Sequence, residues 1–128
     1  MTTEKDDIIE IAEYAAGEAQ EWADCANGVC RQSKTEVFMC ASHTYDYMRV
    51  ANYCNNAVRT GNYPLRYVLQ VAKNYLESAH EAEETEATCF DETYDDLTGE
   101  MAAQWAQKAQ EDADKLRRFL SSRRRKAA

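Results

Sequence analysis

Residues that break regular structure are scarce in this chain. It has one proline and four glycines in 128 residues. A sheet of many strands needs frequent turn residues, so this composition argues against an all-β fold and favours long helices. The length is that of one domain, which can bury roughly two thirds of its unfolded surface and fold alone.

Long apolar runs are also missing. The unbroken apolar stretches are far shorter than the roughly 20 residues that a membrane helix needs, so no membrane span is expected. The first seven residues are acidic and lack an apolar segment, so no signal peptide is expected either. The five cysteines are odd in number and show no paired spacing, which favours a reducing, cytoplasmic location.

Patterns that would indicate catalysis are absent from the sequence. There is no glycine-rich phosphate loop, no serine in a nucleophile elbow and no His-Glu-x-x-His. Nothing marks a particular thiol as activated. We therefore expect a protein that is not an enzyme and carries no catalytic cofactor.

Charge, by contrast, is abundant and sorted into blocks. Residues 1–30 hold eight acids against one lysine, and residues 31–76 hold six cations against two acids. Residues 77–114 hold thirteen acids against one lysine, and residues 115–128 hold seven cations and no acid. The net charge is −8. Such blocks give a molecule distinct electrostatic faces, which select partners, and the acidic balance argues against a simple nucleic-acid binder.

Apolar residues in steps of three and four predict four helices. Stop and start signals separate them at Asn27-Gly28, at Ser33 through Glu36, which has the form of a capping box, and at Gly61 through Pro64. The predicted spans are 3–26, 34–60, 64–84 and 89–122, the last being the longest.

Short connections between amphipathic helices favour an all-α, up-down-up-down four-helix bundle. Its long C-terminal helix is expected to protrude from the body. The bundle domain would comprise residues 1–122, with a basic tail at 123–128. The main competing arrangement is another all-α fold, in which the last helix forms a homodimer.

An up-down bundle would bring most of the cysteines and both histidines to one end. In two antiparallel helices joined by a turn, residues equally far from the turn lie at the same height along the bundle axis. Thiolates and imidazoles grouped in this way are the ligands that a structural zinc ion uses. The alternative is that these cysteines merely pack in the core. The candidate ligands are Cys25, Cys30, Cys40, His43, His80 and Cys89.

Two surfaces are candidate partner sites. Tyrosines cluster in helix 2 and supply contact area with little loss of entropy, although a central helix could bury them instead. A row of carboxylates on helices 3 and 4 could imitate the phosphates of a duplex, or could be an ordinary solvated face. The candidate residues are Tyr45, Tyr47 and Tyr53 on the first surface, and Glu81, Glu84, Asp91, Glu92, Asp95 and Asp96 on the second.

The C-terminus carries a basic run. Some of its cations could simply stabilise the negative end of the helix dipole, but there are more of them than capping needs. An electrostatic contact with nucleic acid, an anionic membrane surface or an acidic protein is the alternative. The residues are Arg117, Arg118, Arg123, Arg124, Arg125 and Lys126.

These observations favour a small intracellular interaction protein, an adaptor or inhibitor that binds a macromolecular partner through its acidic and tyrosine-rich faces. One alternative is a metal-binding or thiol-based sensor that uses the cysteine and histidine end. Another is a nucleic-acid-associated protein that uses the basic tail.

Overall fold

A computed structural model describes residues 3–28, 33–85 and 97–127 of the chain, with side chains as far as residue 121. These residues form four α-helices and no strand. The helices are α1 (Glu4–Asn27), α2 (Lys34–Thr60), α3 (Leu65–Thr85) and α4 (Gly99–Ala127). The prediction of an all-α helical bundle is confirmed.

The first three helices begin and end within one residue of the predicted positions, because local signals fix them. Thr3 and Asp6 form a reciprocal capping box at the start of α1. Ser33 Oγ accepts the Glu36 amide at the start of α2, 3.4 Å away. Gly61 ends α2 in the left-handed conformation, with φ of +68°. These caps satisfy amide and carbonyl groups that helix ends leave without partners.

The bounds of α4 differ from the prediction at both ends. Leu97 and Thr98 were expected inside the helix, but they precede it. Thr98 Oγ1 accepts the Met101 amide at 3.2 Å, so Thr98 is an N-cap that the sequence analysis overlooked. At the other end the helix continues to Ala127, so the backbone of the basic run as far as that residue is helical.

The helices pack around α1 and α2. Both α3 and α4 lie against this pair, whereas α3 and α4 hardly touch each other. Alanines dominate the contact faces of α1 and α4, and their small side chains let helices approach closely. The buried alanines of these two helices are Ala12, Ala15, Ala16, Ala19, Ala23, Ala26, Ala102, Ala106, Ala109 and Ala113.

No helix in the described ranges is both long enough and apolar enough to cross a membrane. The apolar stripe of α4 shows why, because single buried residues such as Leu116 and Leu120 alternate with exposed charges.

Candidate functional site

Aromatic rings from α2, α3, α4 and the turn before α3 form three contacting pairs, and Arg49 links two of the pairs; we call this group the tyrosine strip. Neighbouring rings meet at centroid distances of about 5 Å, mostly edge-on or tilted, as aromatic pairs prefer. The distances are 5.0 Å for Tyr63–Tyr67, 5.3 Å for Tyr53–Tyr75 and 5.1 Å for Tyr45–Trp105. The strip comprises Tyr45, Arg49, Tyr53, Tyr63, Tyr67, Tyr75 and Trp105.

Arg49 links two of the pairs in the strip. Its guanidinium carbon lies 5.9 Å from the ring centroid of Tyr45 and 5.6 Å from that of Tyr75. Both distances are within the range of cation–π attraction. Arg49 makes no ion pair with any side chain in the described part of the chain. Its positive charge is therefore held against aromatic faces, and no carboxylate of the described residues neutralises it.

Helical spacing explains why these side chains meet. Tyr45, Arg49 and Tyr53 follow one another at intervals of four on α2, so they share a face of that helix. Tyr67 and Tyr75 are eight residues apart on α3 and also share a face. Because α2 and α3 pack against each other, the two faces lie side by side.

Much of the strip is exposed. Tyr63, Tyr67 and Tyr75 are 57%, 51% and 38% exposed, and these are large fractions for aromatic residues. Tyr53 is half-buried beneath them. Its burial, together with the neighbouring phenols Tyr67 and Tyr75, raises its pKa above the ordinary value, so it is a neutral hydroxyl. Tyr53 therefore forms the half-buried side of the strip, and Tyr63, Tyr67 and Tyr75 form its exposed side.

One predicted contact residue does not belong to this surface. Tyr47 was assigned to a partner-binding face of α2, but its side chain is fully buried. Cys54, which lies two turns further along the same line of α2, is also fully buried. This corrects the assignment of Tyr47, because α2 is covered on that line by its neighbours. Tyr45 and Tyr53 are half-buried and do lie in the strip.

A polar cluster lies where Tyr47 meets α1 and α3, with the Glu83 carboxylate at its centre. Glu83 Oε1 accepts the Trp22 indole N–H at 2.5 Å, and Glu83 Oε2 lies 3.6 Å from His80 Nδ1. The Tyr47 hydroxyl is 3.0 Å from the same nitrogen. Burial and the Glu83 carboxylate raise the pKa of Tyr47 strongly, so its hydroxyl keeps its proton and can donate.

Further acidic groups surround this cluster. Burial and repulsion from Glu21 and Glu83 raise the pKa of Glu18 above that of a free glutamate. Burial and the neighbouring Glu18 raise the pKa of Tyr14. Beside them, an open groove of about 420 Å³ runs between α1 and α3. It is lined by Asp7, Glu10, Ile11, Tyr14, Lys73, Leu76 and His80.

The cysteine and histidine end is brought together in part. Cys25 Sγ and Cys40 Sγ are 3.3 Å apart, and one turn away the His43 ring packs on Trp22 at a centroid distance of 4.6 Å. His43 is 2% exposed, and its Nδ1 has no hydrogen-bond partner among the described residues. Burial lowers the pKa of His43, so the ring is neutral.

The remaining candidate ligands are His80, Cys30 and Cys89. His80 lies in the Glu83 cluster with Tyr47, and Cys30 and Cys89 fall outside the described residues. Within residues 3–28, 33–85 and 97–121, no group of three or more His, Cys, Asp or Glu side chains is arranged to hold a metal ion. The zinc site stays a prediction.

The charged candidates are placed only in part. Glu81 and Glu84 are exposed on α3 and line a shallow groove of about 390 Å³ with Lys73 and His80. Four further acids, Asp91, Glu92, Asp95 and Asp96, lie outside the described residues.

The basic run begins with two exposed residues. Arg117 pairs with Glu13 on α1, and Arg118 is exposed. The backbone at Arg123, Arg124, Arg125 and Lys126 belongs to α4, and their side chains lie outside the described part.

One buried carboxylate is not among the residues singled out from the sequence. Asp112 is 3% exposed between α2 and α4 and accepts hydrogen bonds from Asn52 Nδ2 at 3.1 Å and Asn55 Nδ2 at 3.2 Å. It lay within an acidic block that was interpreted as solvated. A signal was available, because Ala109, Asp112, Ala113 and Leu116 follow one another at helical spacing on the apolar face of α4.

Comparison with known proteins identifies no relative, because no family model, no curated protein and no solved structure matches this chain.

Proposed function

We propose that this chain is a non-catalytic interaction protein, an adaptor or inhibitor, which binds a protein partner through the tyrosine strip. The observation that carries this proposal is the group of exposed tyrosines in the strip together with Arg49. Three exposed tyrosines on adjoining elements provide a large contact area with few side-chain torsions to freeze. Of the four large hydrophobic residues that are exposed in the described chain, three belong to the strip.

The charge of the strip indicates what kind of partner fits. Arg49 has no carboxylate partner in the described part of the chain, and Arg59 and Arg66 are exposed on the same two helices. These cations stand in the positive block of a chain whose net charge is −8. A partner segment with acidic and apolar side chains would neutralise Arg49 and cover the rings, and the charge would also fix its orientation.

The finer architecture of the bundle is part of the proposal. We infer the up-down-up-down order, and contacts between the helices support it. Along α1 and α2 the contacts Trp22–His43 and Cys25–Cys40 advance in opposite directions, as antiparallel helices require.

The other helix pairs agree with this order. Tyr47–His80 and Tyr53–Tyr75 advance in opposite directions along α2 and α3. Tyr45–Trp105 and Asn55–Asp112 advance in the same direction along α2 and α4. At about 1.5 Å per residue, the 29 residues of α4 would extend about 43 Å, and protrusion of its basic end from the body stays a prediction.

Photo-crosslinking from within the strip tests the proposed function. A photoreactive phenylalanine analogue replaces Tyr67 in one variant and Tyr14 in another, and both variants are irradiated in the cells that express the protein. Tyr14 is the matched control, because it is a tyrosine of similar exposure, 45%, on α1 outside the strip. We expect a discrete adduct from position 67 that protease removes and nuclease does not, and no such adduct from position 14.

A second variant tests whether the charge matters. Arg49→Gln keeps a long polar side chain but removes the charge, so we expect the adduct from position 67 to weaken several-fold, and added salt to weaken it in the unsubstituted protein. Equal adducts from positions 14 and 67, or none from either, would refute the proposal. A nuclease-sensitive adduct would instead favour the nucleic-acid alternative, and a doubled chain mass would identify the partner as a second copy.

The remaining surfaces stay alternatives. We propose the acidic face as a second contact, supported in the described part by the exposed carboxylates Glu81 and Glu84. Binding of zinc at the cysteine and histidine end and binding of nucleic acid by the basic run stay predictions.

A further inference from the structure

Two thiols face each other across the α1–α2 interface. Cys25 Sγ and Cys40 Sγ are 3.3 Å apart, at hydrogen-bond distance for a thiol. A disulfide would bring the two sulfur atoms to about 2.05 Å, so the gap to be closed is roughly 1.3 Å. Each cysteine is in a helix, near the C-terminus of α1 and near the N-terminus of α2. The movement is therefore small and lies close to the connection between the two helices.

The two thiols differ in how easily a reagent can reach them. Cys25 is half-buried, whereas Cys40 is 4% exposed. A dissolved reagent therefore meets Cys25 first, and Cys40 is placed behind it to complete a reaction that Cys25 begins. This is the usual relation between an attacking and a resolving cysteine.

A third cysteine provides a contrast within the same helix. Cys54 is fully buried in α2, and its burial raises the pKa of the thiol to about 12. The reactive form of a cysteine is the thiolate, so Cys54 is expected to be inert in the folded protein.

The geometry points to a modification site that nothing else in the chain assigns: Cys25 and Cys40 form a reversible intrachain disulfide by exchange with a small-molecule disulfide such as oxidised glutathione. The Cys25 thiolate attacks one sulfur of the reagent, which forms a mixed disulfide and releases one thiolate. The Cys40 thiolate then attacks Cys25 Sγ, which closes the protein disulfide and releases the second thiolate. The two protons from the cysteines end on the two released thiols, so the protein is oxidised by two electrons and the reagent is reduced by two.

This inference does not depend on the tyrosine strip. It also suits a reducing compartment, where disulfides of this kind are transient and respond to the redox state. The bond would link α1 and α2, the two helices against which both others pack.

The test uses the full chain with Cys30→Ser and Cys89→Ser, so that only Cys25, Cys40 and Cys54 carry thiols. The folded protein is incubated with oxidised glutathione and quenched in acid, and its intact mass is measured before alkylation; a second portion is unfolded, alkylated and digested. We expect a mass loss of about two hydrogens, with mixed disulfide below about a tenth of the product, because the second step is intramolecular. Tryptic peptides Asp6–Arg31 and Thr35–Arg49 should be linked, and dithiothreitol should separate them.

Matched variants in the same background identify the pathway. Cys40→Ser removes the resolving thiol, so the glutathione adduct on Cys25 should accumulate in place of the linked peptides. Cys25→Ser should leave Cys40 and Cys54 unmodified and available to alkylation after unfolding. Circular dichroism checks that each variant is folded.

Two results would overturn the inference. One is a stable glutathione adduct on Cys25 while Cys40 is present. The other is recovery of unlinked Cys25 and Cys40 from a folded protein whose Cys25 reacts readily with an alkylating reagent.

Discussion

Replacing Asp112 by alanine tests how the buried polar contact between α2 and α4 contributes to stability. The substitution removes two hydrogen bonds, from Asn52 and from Asn55. Asn52 is half-buried, so water can replace its lost partner. Asn55 is 2% exposed, and its Oδ1 has no partner in the described part of the chain, so loss of Asp112 would leave the whole side-chain amide buried without a described partner.

The expected loss of unfolding free energy follows from these differences. An unsatisfied buried polar group costs about 1–3 kcal/mol, and the bond to Asn52 adds up to about 1 kcal/mol. Lys108 Nζ, 3.6 Å from Asp112 and half-exposed, adds little because surface ion pairs contribute about 0–1 kcal/mol. Removing a buried carboxylate also relieves a desolvation cost, which offsets part of the loss. We therefore expect Asp112→Ala to destabilise the protein by about 2–3 kcal/mol.

Urea denaturation followed by circular dichroism measures this change as a lower midpoint at unchanged slope. The control is Asp114→Ala, which removes an exposed carboxylate on the same helix that accepts only from Gln110 in the described chain. Its effect should stay within about 0.5 kcal/mol. A double-mutant cycle with Asn55→Ala should give a coupling of about 0.5–3 kcal/mol. Equal midpoints for Asp112→Ala and Asp114→Ala would refute the reasoning.

Two further predictions concern the core and the pH dependence of stability. Leu116→Ala, at a fully buried position of α4, should cost about 2–5 kcal/mol in the same denaturation assay, whereas Lys115→Ala, at the exposed neighbour, should change little. Burial lowers the pKa of His43 below its unfolded value of 6.5, so below that pH the unfolded chain binds a proton that the folded chain does not. As the pH is lowered from 6.5 towards the folded pKa of His43, the free energy of unfolding should therefore decrease by at most about 1.4 kcal/mol per pH unit. His43→Phe keeps a ring against Trp22 and should make the free energy of unfolding less dependent on pH in this range. An unchanged pH dependence in that variant would contradict its assignment to His43.

The helices were predictable because their signals are local. Thr3, Ser33 and Gly61 act on neighbouring backbone groups, so their effect is visible in the order of residues. The start of α4 depends in part on a local signal, the Thr98 cap, which was overlooked. It depends also on Gly99, where a Cβ would collide with the Asn27 side-chain amide of α1. The Asn27 side-chain amide donates a hydrogen bond to the Gly99 carbonyl oxygen at 2.7 Å. The two residues are 72 positions apart in the sequence, so no local pattern reveals this contact.

The candidate site was predictable only in part, for a similar reason. The count of tyrosines indicated an aromatic cluster on α2, and the rings of Tyr45 and Tyr53 do make contacts in the tyrosine strip. Helical spacing alone could not tell that α3 covers Tyr47, because burial depends on which helix packs against which face. The role of Arg49 was missed because it depends on the Tyr75 ring of another helix.

The alanine-rich interfaces explain why the polar contacts matter to the surface as well as to stability. Small side chains let α1, α2 and α4 approach closely, but they present few knobs that would prevent one helix from sliding along another. The bonds from Asn52 and Asn55 to Asp112 fix the position of α4 along α2. The same register sets Trp105 against Tyr45, which is the α4 end of the tyrosine strip. A variant such as Asp112→Ala should therefore loosen that end of the strip while leaving the Tyr53–Tyr75 contact between α2 and α3 in place.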